Sequence, residues 1–427
     1  MTRPARRPTA CPAHPDERQL RAELAHWRGA IEALVDLDAV AAPAAWAMLE
    51  GYLRLRVRER LTRSIAELAA EGSAIAVRLD AGEPLAQVRD RVLGLRHRYV
   101  MVETVVDFYG DAVNSRTNPA LGAVLGGLDT LACDSMEMIL RPLGMEVPPA
   151  LVYVDRGMGA AILRAGVRLW GPGGPSPVAA IKLTRHNLGH PTALFHETGH
   201  QVAAQTGWVP QLASALSHSV ALHSATLADL WAAWASEIAA DVHAFALAGW
   251  SPVPALAHVV DGPTPAVHRI RLGDPHPPAW LRVMLNAELC RAAYGAGPWD
   301  DLARTWMERH DPRRLESAGA RVAAASLPVL PALAEACLTQ PYPAFGGRPI
   351  SALADPQLVS PTALEALQRR AGPTLLTSAY LARQRPLQIV ALLTMDLPRD
   401  PVAAAATTRR LHGWLTTLAP IPLPRAA

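Results

Sequence analysis

The stretch "LFHETGHQ", residues 194–201, constrains the fold of this chain more than any other. His196 and His200 are four residues apart, and on an α-helix residues so spaced lie on one face. Both imidazoles can then aim a ring nitrogen at a single ion. Glu197, next along the helix, can reach a water on that ion without ligating the ion itself. Zn²⁺ lowers the pKa of such a water to about 7, and the glutamate takes its proton during attack on a carbonyl. The pattern predicts a helix over about 191–206, begun at Thr192 or the preceding turn and ended by Gly207. His196 and His200 are candidate metal ligands, and Glu197 is the candidate general base.

A catalytic site of this kind needs a third protein ligand. "WASEIAADVHAFALAG", residues 234–249, offers Glu237 and Asp241, again four apart on one predicted helix. Glu237 is the candidate third ligand. Asp241, one turn on, is placed to accept the other ring N–H of a ligating histidine and so fix its tautomer. The competing reading is a solvated face. Ile238, Ala239, Ala240, Val242 and Phe245 weigh against it, because carboxylates among apolar neighbours need a partner or an ion.

HExxH followed by a helix bearing ExxxD resembles the gluzincin metallopeptidases. "SEIAADVHAFALAGWSPVPALAHVV" followed by "DPHPPAWLRV" is similar to one family among them, that of the type I CAAX prenyl protease and the bacterial heat-shock protease HtpX. The matching positions are Glu237, Asp241, Gly249, His276-Pro277 and Arg282, and the likeness covers about residues 178–290. The resemblance implies Zn²⁺ held by His196, His200 and Glu237, with water in the fourth position. It implies Glu197 as base and then proton donor to the leaving amine, and His276 and Arg282 as oxyanion stabilisers. An extended peptide is expected to pair with "VAAIKLT" (178–184) as an edge strand. The plainer account of His276-Pro277-Pro278 is a helix start, and of Arg282 an ion pair with an acid. His186 and His190, in "RHNLGH", are expected to line the cleft. Trp208, Trp231, Trp234 and Trp250 are expected to pack the core, with Trp231 or Trp234 shaping a substrate pocket as the alternative.

Members of that family are usually embedded in membranes. Here no run of about 18 uncharged apolar residues occurs, and "VAAASLPVLPALAEACL" reads as a buried helical segment. A soluble, cytoplasmic gluzincin is therefore expected. The formal charge of +3, with the Lys+Arg count of 41 spread along helices, gives no reason to expect a nucleic-acid partner. Cys11, Cys133, Cys290 and Cys337 are far apart, which argues against a cysteine zinc site and against a disulfide framework.

The predicted fold class is mainly α with a small β-sheet (α+β), a zincin-like core flanked by helical regions. Residues 1–18 read as a disordered tail. Residues 19–145 form an N-terminal helical bundle or arm, a possible site for a homo-oligomer or partner. There Leu20, Leu24, Trp27, Ile31 and Leu34 mark one helix face, a second helix follows Pro43 and a third starts near Pro84. A fourth spans about 119–142. Residues 146–295 are the expected zinc domain, with strands at 150–154, 167–170 and 178–184 and helices at about 211–222, 226–248, 253–260 and 277–294. Residues 296–427 read as a C-terminal helical region, with Ser360-Pro361 and Asp400-Pro401 as helix starts and 340–349 as a loop.

The expected function is zinc-dependent hydrolysis of peptide bonds in a peptide or protein substrate. A zinc protein that does not cleave, a helical scaffold or adaptor, and hydrolysis of a non-peptide bond are the alternatives. The intact Glu197 favours the enzyme, since a purely structural site normally has four protein ligands.

Overall fold

A computed structural model describes residues 14–157, 159–167, 176–271, 273–395 and 403–419. Helices α1 (Pro15–Ala33), α2 (Gly51–Asp80) and α3 (Leu85–Asn114) open the chain. Leu53, Val57, Leu61, Ile65, Leu68, Ile75 and Leu79 of α2 are buried, as are Val88, Val92, Leu95, Tyr99 and Val106 of α3. Their steps of three, four and seven give each helix one apolar stripe. Helix α1 starts at Pro15, inside the segment expected to be tail. Proline in the first turn, followed by Asp16 and Glu17, favours a start there. The rest of that tail, residues 1–13, lies outside the described residues. The helix expected after Pro43 is two: Pro43–Ala47 ends, and α2 restarts where the Glu50 carboxylate accepts the Leu53 N–H at 2.9 Å.

The sheet has three strands, β1 (Ala150–Val154), β2 (Ala161–Leu163) and β3 (Ala179–Leu183), in the order β1-β3-β2. β1 runs parallel to β3, with Val152 opposite Ile181, and β2 runs antiparallel to it, with Ile162 opposite Ile181. The strand expected at 167–170 is not seen at Val167, and its residues 168–170 lie outside the described residues. β3 is central, so it has no free edge for a substrate, and that expectation is corrected. β2 is an edge strand, and at three residues it is too short to announce itself by alternation.

Side chains alternate across a strand, and here the alternation divides two cores. Leu151, Val178 and Ala180 join the cluster of α1–α3, while Ala150, Val152, Ile181 and Leu183 join the cluster of the helices that follow. Between β1 and α3 runs α4 (Pro119–Leu140), capped by the Asn118 side chain. A buried ion pair ties α4 to β1. Arg116 Nη2 donates to Asp129 Oδ1 at 2.8 Å and to the Val152 carbonyl at 2.6 Å, and Val152 N–H donates to Asp129 at 2.7 Å.

After the sheet come α5 (Ala193–Thr206), α6 (Trp208–Ala221), α7 (Ala225–Ala233), α8 (Ala235–Ala248), α9 (Pro252–Val260) and α10 (Ala279–Tyr294). The single helix expected over 226–248 breaks at Trp234. The C-terminal region includes α11 (Pro298–Arg309), α12 (Leu330–Thr339), α13 (Pro386–Met395) and α14 (Ala404–Leu418). Ser360 caps a helix as expected, whereas Asp400-Pro401 lies outside the described residues. Helix α14 crosses α4 at Gly127, where any Cβ would collide with the Leu415 carbonyl. His412 Nε2 donates to the Leu188 carbonyl at 2.8 Å, which pins the same helix beside the turn leading into α5. By length and composition Ala318–Thr339 could cross a bilayer. Half of it is buried in the fold, and a turn at Leu327–Val329 splits it.

Candidate metal centre

Helices α5 and α8 cross with almost no space between their backbones. Gly199 permits this. A Cβ there would lie 2.8 Å from Ala240 Cα and 3.0 Å from both the Ala240 carbonyl oxygen and His243 Cβ. Backbone atoms cannot swing away as a side-chain tip can. Gly199→Ala is therefore expected to destabilise the fold by about 1–3 kcal/mol, although alanine gains about 1 kcal/mol in helix propensity. Denaturant unfolding would read the change, and wild-type stability would contradict the close approach.

Two further contacts fix the register. His243 Nδ1–H donates to the Phe195 carbonyl at 2.9 Å. Burial holds this imidazole down to about 4, so it stays neutral and keeps its role as donor. Ser135 of α4 donates to Thr198 Oγ1 at 2.8 Å from the other side.

This crossing brings together the residues singled out from the motifs. His196, His200 and Glu237 each present a ligand atom, all within 4.8 Å of one another. His196 Nε2 is 3.3 Å from Glu237 Oε2, and His200 Nε2 is 3.3 Å from Glu237 Oε1. Asp241 stands where the spacing put it, with Oδ1 2.8 Å from His196 Nδ1, so the second ring nitrogen of His196 faces the ligand set. Glu237 is 5% exposed, and its buried Oε2 has only long contacts, with His196 Nε2 at 3.3 Å, His276 Nε2 at 3.4 Å and Arg282 Nη2 at 3.6 Å. Two imidazole nitrogens beside an under-satisfied buried carboxylate make a donor set that fits a divalent cation once the His196 proton is displaced. Glu197, buried on the same helix turn, lines the cleft beside them.

Arg282 of α10 is clamped by Asp241, with Nε 2.6 Å from Oδ2 and Nη2 2.7 Å from Oδ1. Its Nη2 also lies 3.1 Å from His196 Nδ1 and 3.6 Å from Glu237 Oε2. The ion pair expected as the plainer role of Arg282 is thus present. His276 is half-exposed at the rim, with Nε2 3.4 Å from Glu237 Oε2 and Nδ1 2.6 Å from Asp274 Oδ1. The helix expected to start at His276-Pro277 begins at Ala279 instead, two residues later.

The charges are strongly coupled. Burial and the Arg282 charge push His196 down, but hydrogen bonds to Asp241 and Glu237 outweigh them and raise it to about 9. Burial pushes Glu237 up, yet His196, His200 and Arg282 hold it far below the usual carboxylate range. Asp241 is held low mainly by Arg282, again against burial. Glu197 is raised, because burial outweighs the two histidines.

Without metal, then, the raised His196 contributes stability that is full below about pH 6.5 and is lost as pH rises through about 9. Glu237 and Asp241, held low, contribute stability that is lost as pH falls below the ordinary carboxylate range. A cation must displace the His196 proton. Metal affinity is expected to climb by about tenfold per pH unit across pH 6.5–9 and then level off. Competition with a chromogenic chelator measures this, and a flat profile would remove the proton from His196.

The centre opens into a cleft of about 680 Å³. It is lined by β2 with Gly159 and Ala160, and by α9 through Pro252, Ala255, Leu256 and Val259. His186 and His190 line it, as expected. Trp208, Trp231, Trp234 and Trp250 are buried in the core and none lines the cleft, which removes the pocket role for Trp231 and Trp234. Asn286 went unnoticed in the sequence. It donates to Asp241 Oδ2 at 3.2 Å, and its position four residues after Arg282 on one helix was the available signal. No family model, no curated protein and no solved structure matches this chain.

Proposed function

We propose that this chain is a zinc-dependent metallopeptidase. The observation that carries the reading is the convergence of His196, His200 and Glu237, from two helices far apart in sequence, beside a buried Glu197 in an open cleft. The composition of the donor set supports zinc: two imidazoles and one carboxylate leave a position for water or substrate, as catalytic zinc sites do. A zinc ion held there would polarise a scissile carbonyl and lower the pKa of a water to about 7.

The chain's own residues supply the remaining steps. Glu197 takes the proton from the attacking water and returns it to the leaving amine. Burial raises its pKa, which makes the carboxylate a stronger base for the first of these steps. Asp241 holds His196 by Nδ1, while Arg282 and Asn286 hold Asp241. Arg282 is already committed to Asp241, so His276 at the rim is the freer donor for the developing oxyanion. The edge of β2, unpaired among the described residues, offers backbone groups to an extended peptide.

Chelation tests the reading as a whole. A mixed peptide library incubated with the purified chain should show cleavage that disappears with a chelator and returns with added Zn²⁺. One observation favours a second reading. Arg282, Asp241, Glu237 and a protonated His196 neutralise one another without any ion, as a structural network would. Elemental analysis separates the two: about one zinc per chain supports the peptidase, and none supports the network.

A further inference from the structure

A second pocket lies against the C-terminal half of α5, between that helix, α2 and the chain flanking β2 and β3. Arg56, Arg60 and Arg63 project into it from one face of α2, and Arg164 enters from the end of β2. Glu59 and Glu146 are the acids that line it, and Glu146 is 3.9 Å from Arg56. Among the described residues, Arg60, Arg63 and Arg164 form no ion pair. Gln201 of α5, one residue past the second histidine, also lines the pocket. It is 5% exposed, its Nε2 donates to Gln205, and its Oε1 has no partner. A buried acceptor left unmatched is costly, so it marks a place where a donor belongs.

Arg164 lines this pocket and the metal cleft alike. The two meet at Arg164, at the end of the β2 edge that is unpaired among the described residues. Guanidinium groups without acids call for carboxylates, and a lone buried amide oxygen calls for an N–H. A peptide backbone bearing acidic side chains carries both. The arginines stand in a pocket apart from the metal ligand set, so the acidic residues belong away from the scissile bond. A strand added antiparallel to β2 would have its N-terminal end at Arg164.

We propose that the arginine pocket selects substrates with an acidic run on the N-terminal side of the cleaved bond. This rests on the peptidase reading and adds a specificity site to it. The test uses two peptides of identical apolar sequence, one preceded by a run of glutamates and the other by a run of glutamines. With zinc-loaded full-length chain, kcat/KM should favour the glutamate peptide by about tenfold or more at low salt, the preference shrinking as salt screens the charges. The double variant Arg60→Glu/Arg63→Glu should abolish or invert that ratio. Arg164→Gln, a change in an exposed loop that spares the helix, should reduce it. Equal turnover of both peptides by the wild type would overturn the proposal while leaving the peptidase intact. Anisotropy of the labelled peptides on zinc-loaded Glu197→Gln provides the independent readout. If neither peptide is cleaved by the wild type but the glutamate peptide alone is bound, and the arginine variants lose it, the pocket stands and the peptidase reading falls.

Discussion

Glu197→Gln is expected to keep its metal and lose its turnover. The amide matches the carboxylate in size and sits in the same buried position, but it cannot accept a proton from water at neutral pH. Removing a general base of this kind costs about a hundred- to ten-thousandfold in kcat. The three ligands are untouched, so zinc content should remain about one per chain. Peptide binding should survive too, because nothing on the β2 edge or the α9 wall changes. The decisive pair of measurements is elemental analysis and single-turnover cleavage on the same sample. Undiminished cleavage would remove Glu197 from the chemistry, and loss of zinc would mean that the substitution had disturbed the site rather than the proton transfer.

Glu237→Ala is expected to have the complementary effect, abolishing metal retention first and activity with it. The carboxylate reaches both histidines, at 3.3 Å each, and no other described acid is placed to replace it. Residues that merely support ligands typically change metal affinity by about 10- to 100-fold, so deleting a ligand should exceed about a hundredfold. Glu237→Gln controls for the cavity, since it preserves volume and discards only the charge. Titration with zinc against a competing chelator gives the number. Near-wild-type affinity in both variants would assign the third ligand elsewhere and dissolve the proposed centre. The fold of Glu237→Ala should be checked in parallel by thermal unfolding, because His196 and His200 lose their common partner.

The site was legible in the sequence because its chemistry is written at helical spacing. His196 with His200, and Glu237 with Asp241, are each one turn apart, and a carboxylate pair among alanines and valines has little reason to exist without a partner. The same periodicity made the long N-terminal helices readable. What stayed hidden has one physical origin: it depends on how separate segments pack. Three residues of β2 carry no usable alternation, and only their pairing with β3 makes them a strand. That pairing also turned 178–184 from an expected edge into the middle of the sheet. The break at Trp234 and the restart of α2 at Glu50 are local choices among helix-compatible residues. Gly199 looks like a weak point in a helix until its neighbour across the crossing is known. Arg164 and Gln201 mean nothing alone and acquire a shared pocket only from the fold.

The clamp made by α14 has a consequence for the order of assembly. Gly127 receives the backbone at Leu415, and His412 holds the turn before α5 through the Leu188 carbonyl. A ribosome releases His196, His200 and Glu237 long before it releases this brace. The nascent chain therefore carries His196, His200 and Glu237 while their supporting frame is still incomplete, and the long-range closure between α4 and α14 must wait until α14 has emerged.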